Sequence, residues 1–250
     1  EHGIYIDASC NDIKIERNQI WNVGGCGMKV QNRNLPYTSC KSITISNNFI
    51  SNTTNGDGIL IINTESNAVY AENIIIQNNT VDNSGQDGIS IRIAKDALAK
   101  FNVVNNVKRA GIYLSEAYNI NLYKNDISNT GENGIFDEGT GENITMEQNK
   151  LRNLGLNGND KNGLSSGILI QRGRNRKVIN NSVIGNPKLT QYAIYIPAAD
   201  QSTMVLKNNE FRGAREYGAR FSVLGKKFKE YQNNVFEADV AGSEVMYKPK

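Results

Sequence analysis

The feature that most constrains this chain is a short unit that returns along nearly its whole length. A small residue is followed by alternating apolar positions: GIYI from Gly3, GMKV from Gly27, GILI from Gly58, GISI from Gly88 and GIYL from Gly111. The series continues with GIFD from Gly134, GILI from Gly167, AIYI from Ala193 and GARF from Gly218. Gly3 and Gly218 lie 215 residues apart, so eight steps average about 27 residues, a solenoid spacing. A second unit keeps step with the first: Asn, any residue, then an apolar side chain. It reads Asn18/Ile20, Asn48/Ile50, Asn79/Val81, Asn105/Val107, Asn125/Ile127, Asn149/Leu151, Asn181/Val183, Asn209/Phe211 and Asn234/Phe236.

Alternating runs such as DIKIE, SITIS, NIIIQ and NINLY precede most of these asparagines. Period-two alternation rich in β-branched residues means strands with one buried face. No stretch sustains a period of 3.6, so helices are minor. Each coil therefore reads as strand, Asn turn, short strand, variable loop, Gly-led strand, second variable loop. Three strands per coil close an all-β fold, a right-handed parallel β-helix of about nine coils. An Asn recurring at one turn can hydrogen-bond its counterparts above and below and tolerates the left-handed turn conformation. The glycine before each strand is expected to allow a sharp turn out of the loop. Residues 1–250 read as one domain, with 226–250 an irregular last coil. The chain opens directly on the repeat, with no signal-peptide pattern, and is expected to be a fragment of a longer protein.

Bulk properties exclude several partners. With 28 Lys+Arg against 25 Asp+Glu the formal charge is +3, without the clustered basic stripe of a nucleic-acid surface. No apolar run reaches the ~18 residues of a membrane-spanning helix. Cys10, Cys26 and Cys40 show neither zinc spacing nor a Cys-x-x-Cys pair and read as buried thiols. His2 is the sole histidine, at the chain end, so catalysis by histidine is not expected.

The NN-x-I…G-I-x-I pattern resembles the repeats of the pectin-lyase-like superfamily over nearly the whole chain. That superfamily includes pectate lyases, polygalacturonases, alginate epimerases and lyases, and bacteriophage tailspikes. The resemblance implies a polysaccharide partner and an extracellular, cell-surface or virion location, as a monomer or a laterally associated homotrimer. The polygalacturonase motifs Asn-Thr-Asp, Asp-Asp and Gly-His-Gly are missing from this sequence. Phe136-Asp137-Glu138 resembles only the first half of the Phe-Asp-Pro-His of alginate epimerases.

In a G-I-x-I strand the isoleucines point inward and the intervening residues outward, stacked about 5 Å apart from coil to coil. One outward column runs Tyr5, Lys29, Leu60, Ser90, Tyr113, Phe136, Leu169, Tyr195 and Arg220. The next runs Asp7, Gln31, Ile62, Arg92, Ser115, Glu138, Gln171, Pro197 and Ser222. The longest loops, Gln31 to Lys41, Asn63 to Glu72 and Ile93 to Lys100, are expected to flank this wall. Aromatic faces suit sugar rings and cations suit uronate carboxylates. Lys29, Tyr113, Phe136, Gln171, Tyr195 and Arg220 are therefore the candidate substrate-binding residues. Asp57, Asp87, Arg92, Asp137 and Glu138 are the candidate catalytic ones. Asp57 and Asp87 are equivalent in successive coils and so could supply the carboxylate pair of a glycosidase. A lyase would use Arg92 or Tyr113 as base, with Asp57 and Asp87 as ligands of a possible Ca²⁺. The loop Asn157–Gly163 also carries oxygen ligands for Ca²⁺, without a closing Glu. The alternative role for each aspartate is capping a turn before Gly. Two functional readings follow: a secreted polysaccharide lyase or hydrolase, or a non-catalytic adhesive or tailspike-like rod.

Overall fold

The computed structural model describes residues 1–7, 10–32, 39–63, 70–158, 161, 164–221, 228–238 and 245–246. Three faces build each coil; in the first coil their strands are Ile4–Asp7, Asn11–Glu16 and Gln19–Val23. Each pairs in parallel with its counterpart one coil on: Ile4 with Met28, Ile13 with Ile43 and Ile20 with Ile50. The pairing repeats up to Phe211 with Phe236 and Arg220 with Met246. The result is a right-handed parallel β-helix with three faces, which we number in chain order. Among the described residues no helix is long and apolar enough to cross a membrane.

The alternating pattern becomes the core. Ile59, Ile61, Ile89, Ile91, Ile112 and Leu114 on the first face, Ile43, Ile45, Ile74 and Ile76 on the second, and Ile50, Val81 and Ile127 on the third are fully buried. Burial of each such side chain stabilises by about 1.5–3 kcal/mol. Glycine at the head of the first-face strand serves close approach. A Cβ on Gly134 would lie 2.8 Å from the Gly167 carbonyl oxygen and 2.5 Å from Leu151 Cδ2. None of these column glycines has a left-handed φ, so the expected sharp turn is not their reason.

The asparagine turn is a ladder. Asn48 Oδ1 accepts from the backbone N–H of Asn18 at 2.9 Å and from Asn18 Nδ2 at 3.0 Å. Asn48 Nδ2 donates to the Ile15 carbonyl at 2.9 Å and to Asn79 Oδ1 at 2.9 Å. Both acceptor and both donor capacities of the amide are filled. The ladder continues through Asn102, Asn125, Asn149, Asn181 and Asn209 to Asn234. Two expectations need correction. The fourth member is Asn102, not Asn105, which instead bonds side chains on the outer third face. The left-handed residue is the one before each ladder asparagine, such as Asn47, Asn78, Phe101 or Lys124.

Two coils lack any loop between the first and second faces. Ile89–Lys100 and Ile112–Tyr123 are unbroken strands that turn the corner at Ile93 (φ 50°) and Glu116 (φ 48°). The expected loop from Ile93 to Lys100 is therefore strand. In the other two expected loops, residues 33–38 and 64–69 lie outside the described residues.

Asp137 belongs to the interior. It sits in register between Leu114 and Ile170 in the inward column. Its carboxylate receives Arg176 Nε at 2.7 Å and NH2 at 3.1 Å, with both side chains essentially inaccessible. Arg176 NH1 caps the Arg174 carbonyl at 2.7 Å and also donates to the Gly141 carbonyl. A catalytic role for Asp137 on the flank is excluded by this placement: it is half of a buried, bidentate ion pair.

Candidate functional site

Stacking brings most of the remaining candidates together on the first face. Residues just before the column glycines form their own backbone ladder. The side chains of Asp57 and Asp87 each accept, at 3.0 Å, the backbone N–H of the corresponding residue in the next coil, Asp87 and Ala110. Each aspartate is left with Oδ2, and Arg92 NH2 lies 3.4 Å from that of Asp57 and 3.2 Å from that of Asp87. Arg109 NH1 approaches Asp87 Oδ2 at 3.7 Å, and its Nε lies 3.6 Å from Glu132 Oε2. The place where Ca²⁺ would bridge the two aspartates is thus filled by the Arg92 guanidinium.

Burial pushes the Asp57 carboxyl up to about 6, with the adjacent Asp87 charge adding to the rise and Arg92 opposing it. Burial raises the Asp87 carboxyl as well. A carboxyl near neutrality suits acid–base work, but at 2% and 0% exposure Asp57 and Asp87 offer no face to a glycan. Their arrangement fits the capping role and the orientation of Arg92.

Arg92 carries that order outward. Its Nε donates to Ser90 Oγ at 2.7 Å, and its guanidinium lies 4.8 Å from the centre of the Tyr113 ring. The Tyr113 hydroxyl hydrogen-bonds Glu138, and its ring meets Phe136 edge-on at 5.4 Å. Burial, then the hydrogen bond to Glu138, pushes the Tyr113 hydroxyl up to about 12. Tyr113 therefore keeps its proton at neutral pH, which opposes its expected use as a base.

Beside Glu138 opens a cleft of about 240 Å³ lined by Ser115, Glu116, Glu138, Gly139, Thr140, Gln171 and Arg172. A Cβ on Gly139 would lie 2.2 Å from the Glu116 backbone nitrogen. Only glycine lets the Glu138 turn settle this closely on the coil before it. Among the described residues Arg172 makes no ion pair and is exposed, so a cation stands at the cleft's edge.

The outward column itself is less open than its alternation implies. Leu60, Ser90, Tyr113, Phe136 and Leu169 are all buried. Ala110, Tyr113, Phe136 and Leu169 form a second apolar cluster, packed by Leu164 and Tyr195. Phe136 therefore supports Tyr113 from beneath. Lys29 lies apart, 5.5 Å from the centre of the Tyr5 ring. Tyr195 and Arg220 belong to a group further along, where Arg220 lies 5.1 Å from the ring centres of both Tyr192 and Tyr195. Part of the expected Ca²⁺ loop, namely Asn159, Asp160, Asn162 and Gly163, lies outside the described residues. Among the described residues no group of three His, Cys, Asp or Glu side chains converges on a metal position.

Sequence reasoning missed Arg109, Glu132, Glu116 and Arg172. Arg109 and Glu132 share the column two positions before the small residue, so reading that column would have set them side by side. Glu116 and Arg172 sit at corners, where the alternation that sorts inward from outward breaks down.

The family described as a right-handed β-helix region matches residues 2–163 and 35–199. The chain belongs to that family. Among solved structures, this β-helix resembles the A-module of mannuronan C-5 epimerase AlgE4 from Azotobacter vinelandii, at 13% identity and TM-score 0.55 over 95% of this chain and 64% of that one. It resembles PfbA, a surface adhesin of Streptococcus pneumoniae, at 13% identity and TM-score 0.59 over 86% and 57%. It also resembles the enzymatically active domain of bacteriophage CBA120 tailspike protein 2, at 12% identity and TM-score 0.50 over 93% and 37%. At these identities the likeness is one of fold, and the chain spans less than two thirds of each of those chains. No curated protein sequence matches it.

Proposed function

We propose that this β-helix is an extracellular or surface module that binds an acidic polysaccharide across the cleft at Ser115, Glu138, Gln171 and Arg172. The observation that carries the reading is the cleft itself, a polar recess with an exposed cation at its edge, on coils whose connections are absent or short. Arg172 suits a uronate carboxylate, and Gln171 and Ser115 offer hydrogen bonds to hydroxyls. An epimerase named for mannuronan and a tailspike domain named as enzymatically active share the fold, which supports a glycan as ligand. The double variant Gln171→Ala/Arg172→Ala is expected to lose about tenfold or more in affinity, as for one charge-assisted contact or more. Affinity electrophoresis on acidic polysaccharides measures this. Unchanged migration of the double variant on a polysaccharide that retards the parent would overturn the assignment.

The Tyr113–Glu138 hydrogen bond favours a second reading, in which the bound chain is also cleaved. Asp57 and Asp87 fix Arg92, Arg92 holds the Tyr113 ring, and Tyr113 orients the Glu138 carboxyl at the cleft. Glu138 is then the group placed to transfer a proton to or from the substrate, and Glu116 is the second carboxyl on the same cleft. On this reading Glu138→Gln abolishes depolymerisation while leaving binding intact, a loss of about 10²–10⁴ in rate.

A further inference from the structure

The three cysteines do not occupy equivalent places. Cys26 lies in the backbone ladder before the column glycine, where its sulfur takes the Asp57 N–H. Cys10 and Cys40 instead immediately precede Asn11 and Lys41, which are direct partners on adjacent parallel strands. The pairing extends to the cysteines: Lys41 N–H donates to the Cys10 carbonyl at 2.8 Å, and Glu72 N–H to the Cys40 carbonyl at 3.0 Å. Cys40 is buried in the core at 1% exposure, and Cys10 is half-buried and packed against the same core. The two thiols are hydrogen-bonded to each other.

We propose that Cys10 and Cys40 form a disulfide that staples the first coil of this chain to the second. Neighbouring parallel strands stand ~4.8 Å apart, within the ~4.4–6.8 Å between Cα atoms that a disulfide spans. Both side chains point to one side, and both lie just outside the strands, where the backbone can adjust to the torsion the bond requires. The hydrogen bond between the thiols favours ionisation of Cys40 and suppresses that of Cys10. A small-molecule disulfide such as oxidised glutathione supplies the oxidant. Cys10, the more exposed, passes its proton along that hydrogen bond to the Cys40 thiolate as it attacks one of the oxidant's sulfurs and releases the first thiolate. Cys40 then attacks the Cys10 sulfur of the mixed disulfide and releases the second. Two electrons pass to the oxidant, and the two protons leave to solvent or to the released thiolates. The odd cysteine count is thereby explained: two residues pair, and the third is held by backbone. The bond closes a loop of one whole coil and so ties two neighbouring coils together.

The test uses the whole chain equilibrated with oxidised glutathione, then denatured, alkylated and digested for mass spectrometry. The expected product is a single crosslink joining the peptides of residues 10 and 40, with one thiol, Cys26, alkylated. Its formation is expected to raise Tm by about 5–10 °C, reversed by a dithiol reductant. Cys10→Ser, which removes the bond with little change in volume, should show the lower Tm under both conditions. Three alkylated thiols after full equilibration, or a crosslink that includes Cys26, would overturn the proposal.

Discussion

Truncation of one ladder asparagine separates the buried amide ladder from the many other asparagines of this chain. In Asn102→Ala four hydrogen bonds vanish. Asn102 Oδ1 no longer accepts from the Asn79 backbone N–H and Asn79 Nδ2, each at 3.0 Å. Asn102 Nδ2 no longer reaches the Ile76 carbonyl at 2.9 Å or Asn125 Oδ1 at 3.0 Å. Asn102 is fully buried, so water does not replace these partners. The Asn79 N–H and the Ile76 carbonyl lose their ladder partner, at about 1–3 kcal/mol each. Asn79 Nδ2 and Asn125 Oδ1 each keep one partner, the Ile45 carbonyl and the Asn102 N–H, and lose about 0.5–1.5 kcal/mol apiece. The low ends together give about 3 kcal/mol and the middle of the ranges about 6 kcal/mol. Asn105→Ala, three residues on, removes only side-chain contacts to Asp82, Ser128 and Asn129 on the outer third face. That change is expected to cost about 1 kcal/mol, because water takes over at a half-exposed site. Urea denaturation followed by far-ultraviolet circular dichroism measures both. If Asn105→Ala costs as much as Asn102→Ala, the argument from filled, buried amides is wrong.

Other predictions concern the buried charges. The folded pKa of Asp57 lies above its unfolded value near ~3.9, so the native state binds the extra proton between that value and about 6. This contribution to stability is fully present below ~pH 4 and is lost as pH rises through about 6. Thermal melts from pH 4 to 7 should show Asp57→Asn falling less with rising pH than the parent; identical slopes would contradict the assignment. Arg176→Met alone strands the Asp137 carboxylate in the core and should destabilise by about 3–5 kcal/mol. The double change Arg176→Met/Asp137→Leu removes both charges and should recover most of that loss in the same urea titration.

The solenoid was legible because its physics repeats. Every coil must bury the same inward positions, so the G-I-x-I and Asn-x-apolar patterns recur however the loops vary. The Asn102 error shows the limit of pattern alone. Asn102/Val104 and Asn105/Val107 both satisfy the motif, and only strand register, Val104 beside Val81 and Ile127, decides between them. Asp137 occupies an inward position of GIFD, so strict use of the alternation would have placed it in the core rather than among the catalytic candidates. Its partner Arg176 was hidden because it reaches across a corner from a different face. The stacking of Asp57 on Asp87 was readable from their equivalent positions. The cover over Tyr113 and Phe136 was not, since Leu164 comes from the connection before the strand Ser166–Ile170, outside the strand alternation. Glu116 and Arg172 escaped for a related reason: corners follow no two-residue period.

The measurement that tests the central claim most directly is a polysaccharide panel. The protein is run through affinity gels of acidic and neutral bacterial, algal and plant polysaccharides, and the same mixtures are assayed for unsaturated products and new reducing ends. The account predicts retardation by at least one uronate-containing polysaccharide and little by neutral ones, with retardation lost in Gln171→Ala/Arg172→Ala. Retention by neutral glycans alone, or acidic-glycan binding indifferent to that double variant, would contradict the placement of the glycan at this cleft.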